Sequence, residues 1–415
     1  MTYKLSAVVS EALKYIYYDM RAGRAIEGMA LLETASAAGD GDASCILARC
    51  LMGSEYAWKY HGFLDDLLRA SELLRLSVKQ GSALGVLALL HEGELTEQTE
   101  QDMAFSDPGD AFDAVMEAAE GGDAYCQLMI GEAYAENDFA RISEKKRGTF
   151  ESDSEFRDYI KLNASKCETW LRRSFKGGMY AAGDKLIRYV SDENDFLTDK
   201  LSDKLVEILR EGAELGYPPH QFRYAEQLMM RTGMMSEAMK WYRLAAEGGE
   251  TEAWYKMGMI SLKGEGIGKD LKLAVSCFEH ALDSDELEIS CCNQLGAIYY
   301  KGGDDMEPNY DLSYKYLKYA YDKGSRYGVY FLGKMCFYGT GTKQDYVSAR
   351  KYLEEMDWHY WRKNYMLGCI YGQGLGVEVD CEKAVTELKK AEHHHEAKEE
   401  LAHYKKKLFG GWKRI

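Results

Sequence analysis

The sequence predicts an all-α protein, an α-solenoid of about ten two-helix repeats. Three observations carry that expectation. A glycine-marked segment returns every thirty-odd residues with a fixed internal offset, the mark of stacked repeats. Within each return the apolar residues follow a helical period rather than the alternation of a strand. Only 4 prolines occur in 415 residues, which suits a chain whose helices are seldom broken.

The offset is plainest at Gly122 before Gly131, Gly249 before Gly258 and Gly324 before Gly333, nine residues in each case. Gly39 leads in the same way to Ala48 and Gly216 to Ala225. Gly81 and Gly178 lead less cleanly to Leu90 and Ile187. Leu287, His359 and His393 hold the anchor place before Gly296, Gly368 and Ala402. The intervals are even except from Gly122 to Gly178, where about twenty extra residues fall.

In chain order, residues 1–204 read as degenerate repeats, with Arg49, Leu90 and Ile187 departing from the pattern. They carry an insertion near 139–162. It holds Lys145-Lys146-Arg147 and the acidic run around Glu151–Glu155, and reads as a surface loop. Residues 205–391 match the pattern well. There the first helix of a unit places Ala253, Met257 and Ile260 on one face. The second runs from Ala238 to Ala245-Ala246. A glycine inside a helix costs about 1 kcal/mol against alanine. Its return at Gly131, Gly258, Gly296, Gly333 and Gly368 therefore predicts a second helix crossing too closely for a side chain. Glycine turns such as Gly264-Glu265-Gly266 and Gly339-Thr340-Gly341 join the two helices. Residues 392–415 read as a capping helix and a basic tail with Lys405-Lys406-Lys407 and Lys413-Arg414.

The run Ala238 to Asp270, with Leu295-Gly296-Ala297-Ile298-Tyr299 and Leu367-Gly368-Cys369-Ile370-Tyr371-Gly372-Gln373-Gly374-Leu375-Gly376-Val377, resembles the Sel-one-like repeats of the tetratricopeptide-like superfamily. The resemblance is strong from about 205 to 391. It implies a right-handed superhelix whose concave groove, lined by the first helices, binds protein segments. A fold of this kind is nearly silent on chemistry.

Composition narrows the function. With 52 basic and 68 acidic residues the formal charge is −16. Most of that surface repels a phosphate backbone, so nucleic acid is not the expected partner. A cationic partner would be drawn to it. No stretch approaches a membrane span, and residues 1–11 lack the character of a signal peptide, so the expected compartment is cytoplasmic. The ten cysteines keep no constant offset within the repeats and read as reduced core residues. No catalytic motif is present: there is no nucleophile elbow, no phosphate-binding loop and no His-Glu-x-x-His. His393-His394-His395 with His403 is the one metal-like cluster. Consecutive helical residues point in different directions, so it reads as a solvated turn. No cofactor or metal is expected.

The resemblance turns Tyr299 and Tyr371 inward. It turns the residues three before, one after and four after the helix glycine toward the groove. These are Phe222, Glu226 and Met229; Tyr255, Met259 and Leu262; Asn293, Ala297 and Tyr300; Tyr330, Lys334 and Phe337; and Tyr365 and Cys369. Aromatic and methionine-rich faces of this kind suit binding. The expected function is a non-enzymatic scaffold or adaptor that grips a protein or peptide in the groove. The alternatives are a bacterial effector or immunity-like protein using the same groove, and a ligand-binding, metal-binding or hydrolytic repeat protein.

Overall fold

The computed structural model describes residues 3–18, 22–53, 62–135, 150–190, 202–231, 233–264, 266–356, 360–408 and 410–415. Apart from one short hairpin, its regular elements are helices. They gather into two compact units, Met1–Glu250 and Thr251–Ile415.

Ten first helices begin one to five residues after the ten anchors, from Gly41–Leu51 to His395–Leu401. The anchors work through backbone geometry. Gly249 takes φ +103°, and Gly39, Gly81, Gly122, Gly178, Gly216 and Gly324 share this left-handed conformation, which costs glycine nothing. It stops one helix and releases the chain into the next. Each second helix from Asp270 onward then opens on a side-chain cap. Asp270 accepts from the Leu273 N–H at 2.8 Å, Asn309 from Leu312 at 3.0 Å and Asp380 from Lys383 at 3.0 Å. These caps satisfy orphan donors at the helix start. They also explain the Asp or Asn that follows each turn.

The helix glycines lie where the expectation put them. An ideal Cβ at Gly131, Gly258, Gly296, Gly333 or Gly368 would fall within 2.8 Å of Leu171, Phe278, Leu317, Leu353 or Leu388 respectively. In every case the neighbour belongs to the second helix of the same repeat. In Thr251–Ile415 those leucines and Phe278 are the centres of two apolar clusters, which also hold Tyr299, Tyr352 and Tyr371.

Two segments differ from the sequence reading. The insertion is a loop only in name where it is described. Ser152 caps Asp153–Lys176 by accepting from the Glu155 N–H at 3.1 Å, and the helix runs 24 residues. Its first turns are therefore an extension of a second helix, because Ser152 begins a helical run that nothing breaks. The Lys145–Arg147 part lies outside the described residues. The tail is also ordered. After His395–Leu401 the chain forms an antiparallel hairpin, Tyr404–Lys406 with Trp412–Arg414. Glu382 ties it down by accepting from the Trp412 N–H at 2.7 Å, and Arg414 pairs with Glu400 at 2.9 Å.

Nine of the ten cysteines are buried, and Cys381 is half-buried. Burial pushes the Cys45 and Cys50 thiols up to about 12, so they stay protonated at neutral pH. Thermal melts with and without reductant are expected to coincide. A transition that drops on adding reductant would show cross-links that this packing does not use.

Candidate functional site

In Thr251–Ile415 the first helices, the residues leading into them and Tyr310 of a second helix present a run of rings that touch from one repeat to the next. Tyr310 meets Tyr300 edge-on at 5.5 Å, and Tyr300 meets Phe331 at 4.7 Å. Phe331 continues to Tyr330 at 5.6 Å, and Tyr330 to Tyr360 at 4.7 Å. Tyr360 reaches Trp361 at 6.5 Å, and Trp361 stacks on His394 at 4.1 Å. Helical spacing sets this up. Phe331 and Lys334 sit one turn apart on Val329–Tyr338, and Tyr300 ends Glu288–Lys301. Offset and edge-on pairs of this kind stabilise beyond their buried area.

Two cations lie against the rings. The Lys334 ammonium is 5.3 Å from the centre of Tyr300, and the Arg362 guanidinium is 4.9 Å from that of Trp361. The Tyr330 hydroxyl is enclosed beside Tyr360 and Arg362, and both act on it. Burial, then the Tyr360 hydroxyl, raises its pKa well above that of a free phenol.

The expected groove residues divide. Tyr300, Tyr330 and Lys334 come together in this run. Tyr365 is half-buried and lies near Tyr338 and Cys369. Tyr255, Met259 and Leu262 are half-buried against the neighbouring core, Tyr255 with its ring 5.6 Å from Phe278. Asn293 accepts from the Ser325 hydroxyl at 3.1 Å. Phe337 and Phe222 are 9% and 8% exposed and belong to the core, as do Ala297 and Cys369. Phe337 packs edge-on against Tyr346, and Phe222 against Tyr242. Their helices are covered on that side by the following second helix, so Phe222, three before Ala225, and Phe337, four past Gly333, both point inward there. In Met1–Glu250, Met229 is half-buried and its sulfur accepts from the Tyr242 hydroxyl at 3.1 Å. Counting from the helix glycine did not select Phe331, Tyr360, Trp361 or His394. Phe331 and Trp361 follow other aromatic residues directly, and that adjacency was the available signal.

The N-terminal unit holds a different arrangement. Arg49 Nη2 donates to both Glu132 oxygens at 2.9 and 2.8 Å, and Lys185 reaches Glu132 at 2.8 Å. All three side chains are less than 5% exposed. Burial alone would raise the Glu132 carboxyl. Arg49 and Lys185, with His91 beyond them, outweigh it and hold it at about 2. Arg49 and Glu132 occupy equivalent places, one residue past the small residue of their first helices. Opposite charges at one repeat position were the legible signal. Among the described residues no group of three or more His, Cys, Asp or Glu could hold a metal ion. His393 and His395 are exposed. No described helix is long and apolar enough to cross a membrane.

A family model described as Sel1 repeat matches residues 235–250, 251–285, 289–325, 327–356 and 364–386. A comparison with curated proteins returns no match. Two solved structures align along much of the chain. One is c5321, a protective antigen present in uropathogenic Escherichia coli strains displaying an SLR fold, 22% identical over 95% of this chain and 78% of its own, with a TM-score of 0.42. The other is a Sel1 repeat protein from Oxalobacter formigenes, 20% identical over 80% of this chain and 89% of its own, also with a TM-score of 0.42.

Proposed function

We propose that this chain, whose residues 235–386 carry five Sel1 repeats, is a non-enzymatic scaffold. It binds a protein or peptide segment on the ring-lined first-helix face of Thr251–Ile415. Sel1 repeat proteins generally mediate protein–protein interaction. The observation that carries the reading is the ring run from Tyr310 to His394. Core packing alone would not leave Tyr300, Phe331, Tyr330 and Trp361 half-exposed on successive repeats. Rings that keep some exposure are the side chains a partner covers with most gain, and such anchors commonly cost about 2 kcal/mol or more when truncated. The contact surface comprises Tyr300, Tyr330 and Lys334, extended by Tyr365 at one end and by Asn293, Tyr255, Met259 and Leu262 at the other. Met229 belongs to the other unit and is assigned no part in that surface.

The test is capture of partners by the intact chain beside the Tyr300→Ala, Tyr330→Ala double variant. The expected result is loss of capture with helical content retained and the melting temperature lowered by only a few degrees. A double variant that stays folded and captures the same proteins would place the binding surface elsewhere.

A further inference from the structure

We propose, resting on the reading above, that the segment received by this face is acidic. It presents Asp or Glu side chains beside aromatic or apolar ones, and Lys334 and Arg362 take the carboxylates. Several cations elsewhere in Thr251–Ile415 are matched within the chain, while Lys315, Lys323, Lys351 and Lys389 also rest on rings but stand off the Tyr300–Trp361 run. Lys318 pairs with Asp322 at 2.5 Å, Arg326 with Glu355 at 3.1 Å and Lys390 with Glu387 at 2.6 Å. Lys334 and Arg362 have no carboxylate within ion-pair distance among the described residues, although the chain as a whole carries a charge of −16.

Each cation rests on a ring instead, Lys334 on Tyr300 and Arg362 on Trp361. A ring beneath a cation holds it in place by cation–π attraction and leaves its outer side free for an anion. The ring contacts Tyr300–Phe331–Tyr330–Tyr360–Trp361 run unbroken between the two. One extended segment can therefore lie on apolar surface and meet a positive charge at either end. Beside Arg362 the enclosed Tyr330 hydroxyl interacts with the guanidinium, which holds that cation at its end of the run. Of the chain's own carboxylates, Glu396 acts on Arg362.

The sign of the whole chain argues for cationic partners, but only at long range. At physiological ionic strength, charges more than about 8 Å apart are largely screened. The two cations in contact with the ligand therefore decide specificity on this face, while the net charge slows the approach of an acidic segment.

A display library of random dodecapeptides panned against the full-length chain tests this. Enriched peptides are then synthesised and titrated by fluorescence anisotropy. The enriched set is expected to carry Asp or Glu next to Trp, Phe, Tyr or Leu, and to bind more weakly as salt is raised. Lys334→Gln with Arg362→Gln should weaken binding by about tenfold or more with the circular dichroism spectrum unchanged. Enrichment of basic or uncharged peptides, or equal binding of the acidic ones to the glutamine variant, would overturn the proposal. If such peptides still lose binding in the Tyr300→Ala, Tyr330→Ala variant, the binding face stands and only the acidic specificity falls. If no peptide depends on those tyrosines, or none is enriched at all, both readings fall.

Discussion

Glu132→Gln is expected to lower the free energy of unfolding by about 3–5 kcal/mol, read as a fall in the urea midpoint of the N-terminal transition. Glu132 is an anion shared by Arg49 and Lys185, and all three side chains are almost wholly buried. Glutamine keeps the shape and removes the charge, so two buried cations lose the carboxylate they share. Replacing all three residues by apolar ones of similar volume removes the desolvation cost together with the attraction. The triple variant Arg49→Met, Glu132→Leu, Lys185→Met should therefore recover most of the loss. The same group sets an acid limit. Its folded pKa of about 2 lies below the unfolded carboxyl's ordinary 4.5. The stability it contributes is complete above about 4.5 and drains away as the pH falls from there toward 2. A Glu132→Gln protein should lose that part of its acid sensitivity. Equal acid unfolding in the two proteins would contradict the assignment.

Gly296→Leu should destabilise Thr251–Ile415 by about 1–3 kcal/mol through overpacking. A Cβ at this position would stand 2.4 Å from Leu317 Cγ and 3.3 Å from the Leu317 backbone nitrogen. The Leu317 side chain could turn away, but the backbone cannot, so the two helices must part. Parting them also strains the 2.8 Å hydrogen bond from the Ser313 hydroxyl to the Gly296 carbonyl. Gly268, with nothing within 4 Å of its ideal Cβ, supplies the contrast. Gly268→Ala should leave the melting temperature within a degree or two of the parent.

The repeat architecture was readable because each of its parts leaves a residue-level trace. Gly249 marks a left-handed stop, Gly258 a close crossing and Asp270 a cap, and Gly324, Gly333 and Asp345 repeat the trio, with close variants in the neighbouring repeats. The candidate face was readable only in part. Counting from the helix glycine picked out Tyr300, Tyr330 and Lys334, which the structure brings into one ring run. The same count misplaced Phe222 and Phe337. Whether a second helix covers them depends on how far it reaches, and no position in the first helix encodes that. The Arg49–Glu132–Lys185 cluster lay hidden for a related reason. Its members come from three repeats, and each alone looks like an ordinary surface charge on a degenerate helix.

That cluster has a consequence for how the chain comes apart. Within Thr251–Ile415 the principal helix packing joins elements adjacent along the chain, so loop-closure cost is low and helix pairs can fray singly from an end. In Met1–Glu250 the Arg49–Glu132 contact closes a span of 83 residues. Opening any one of its three first helices exposes the unmatched charges of the other two. Amide hydrogen exchange should follow this difference. Protection should be graded, repeat by repeat, in Thr251–Ile415, while the amides of Gly41–Leu51, Ala124–Ala135 and Tyr180–Val190 should share one opening energy and exchange as a single cooperative unit.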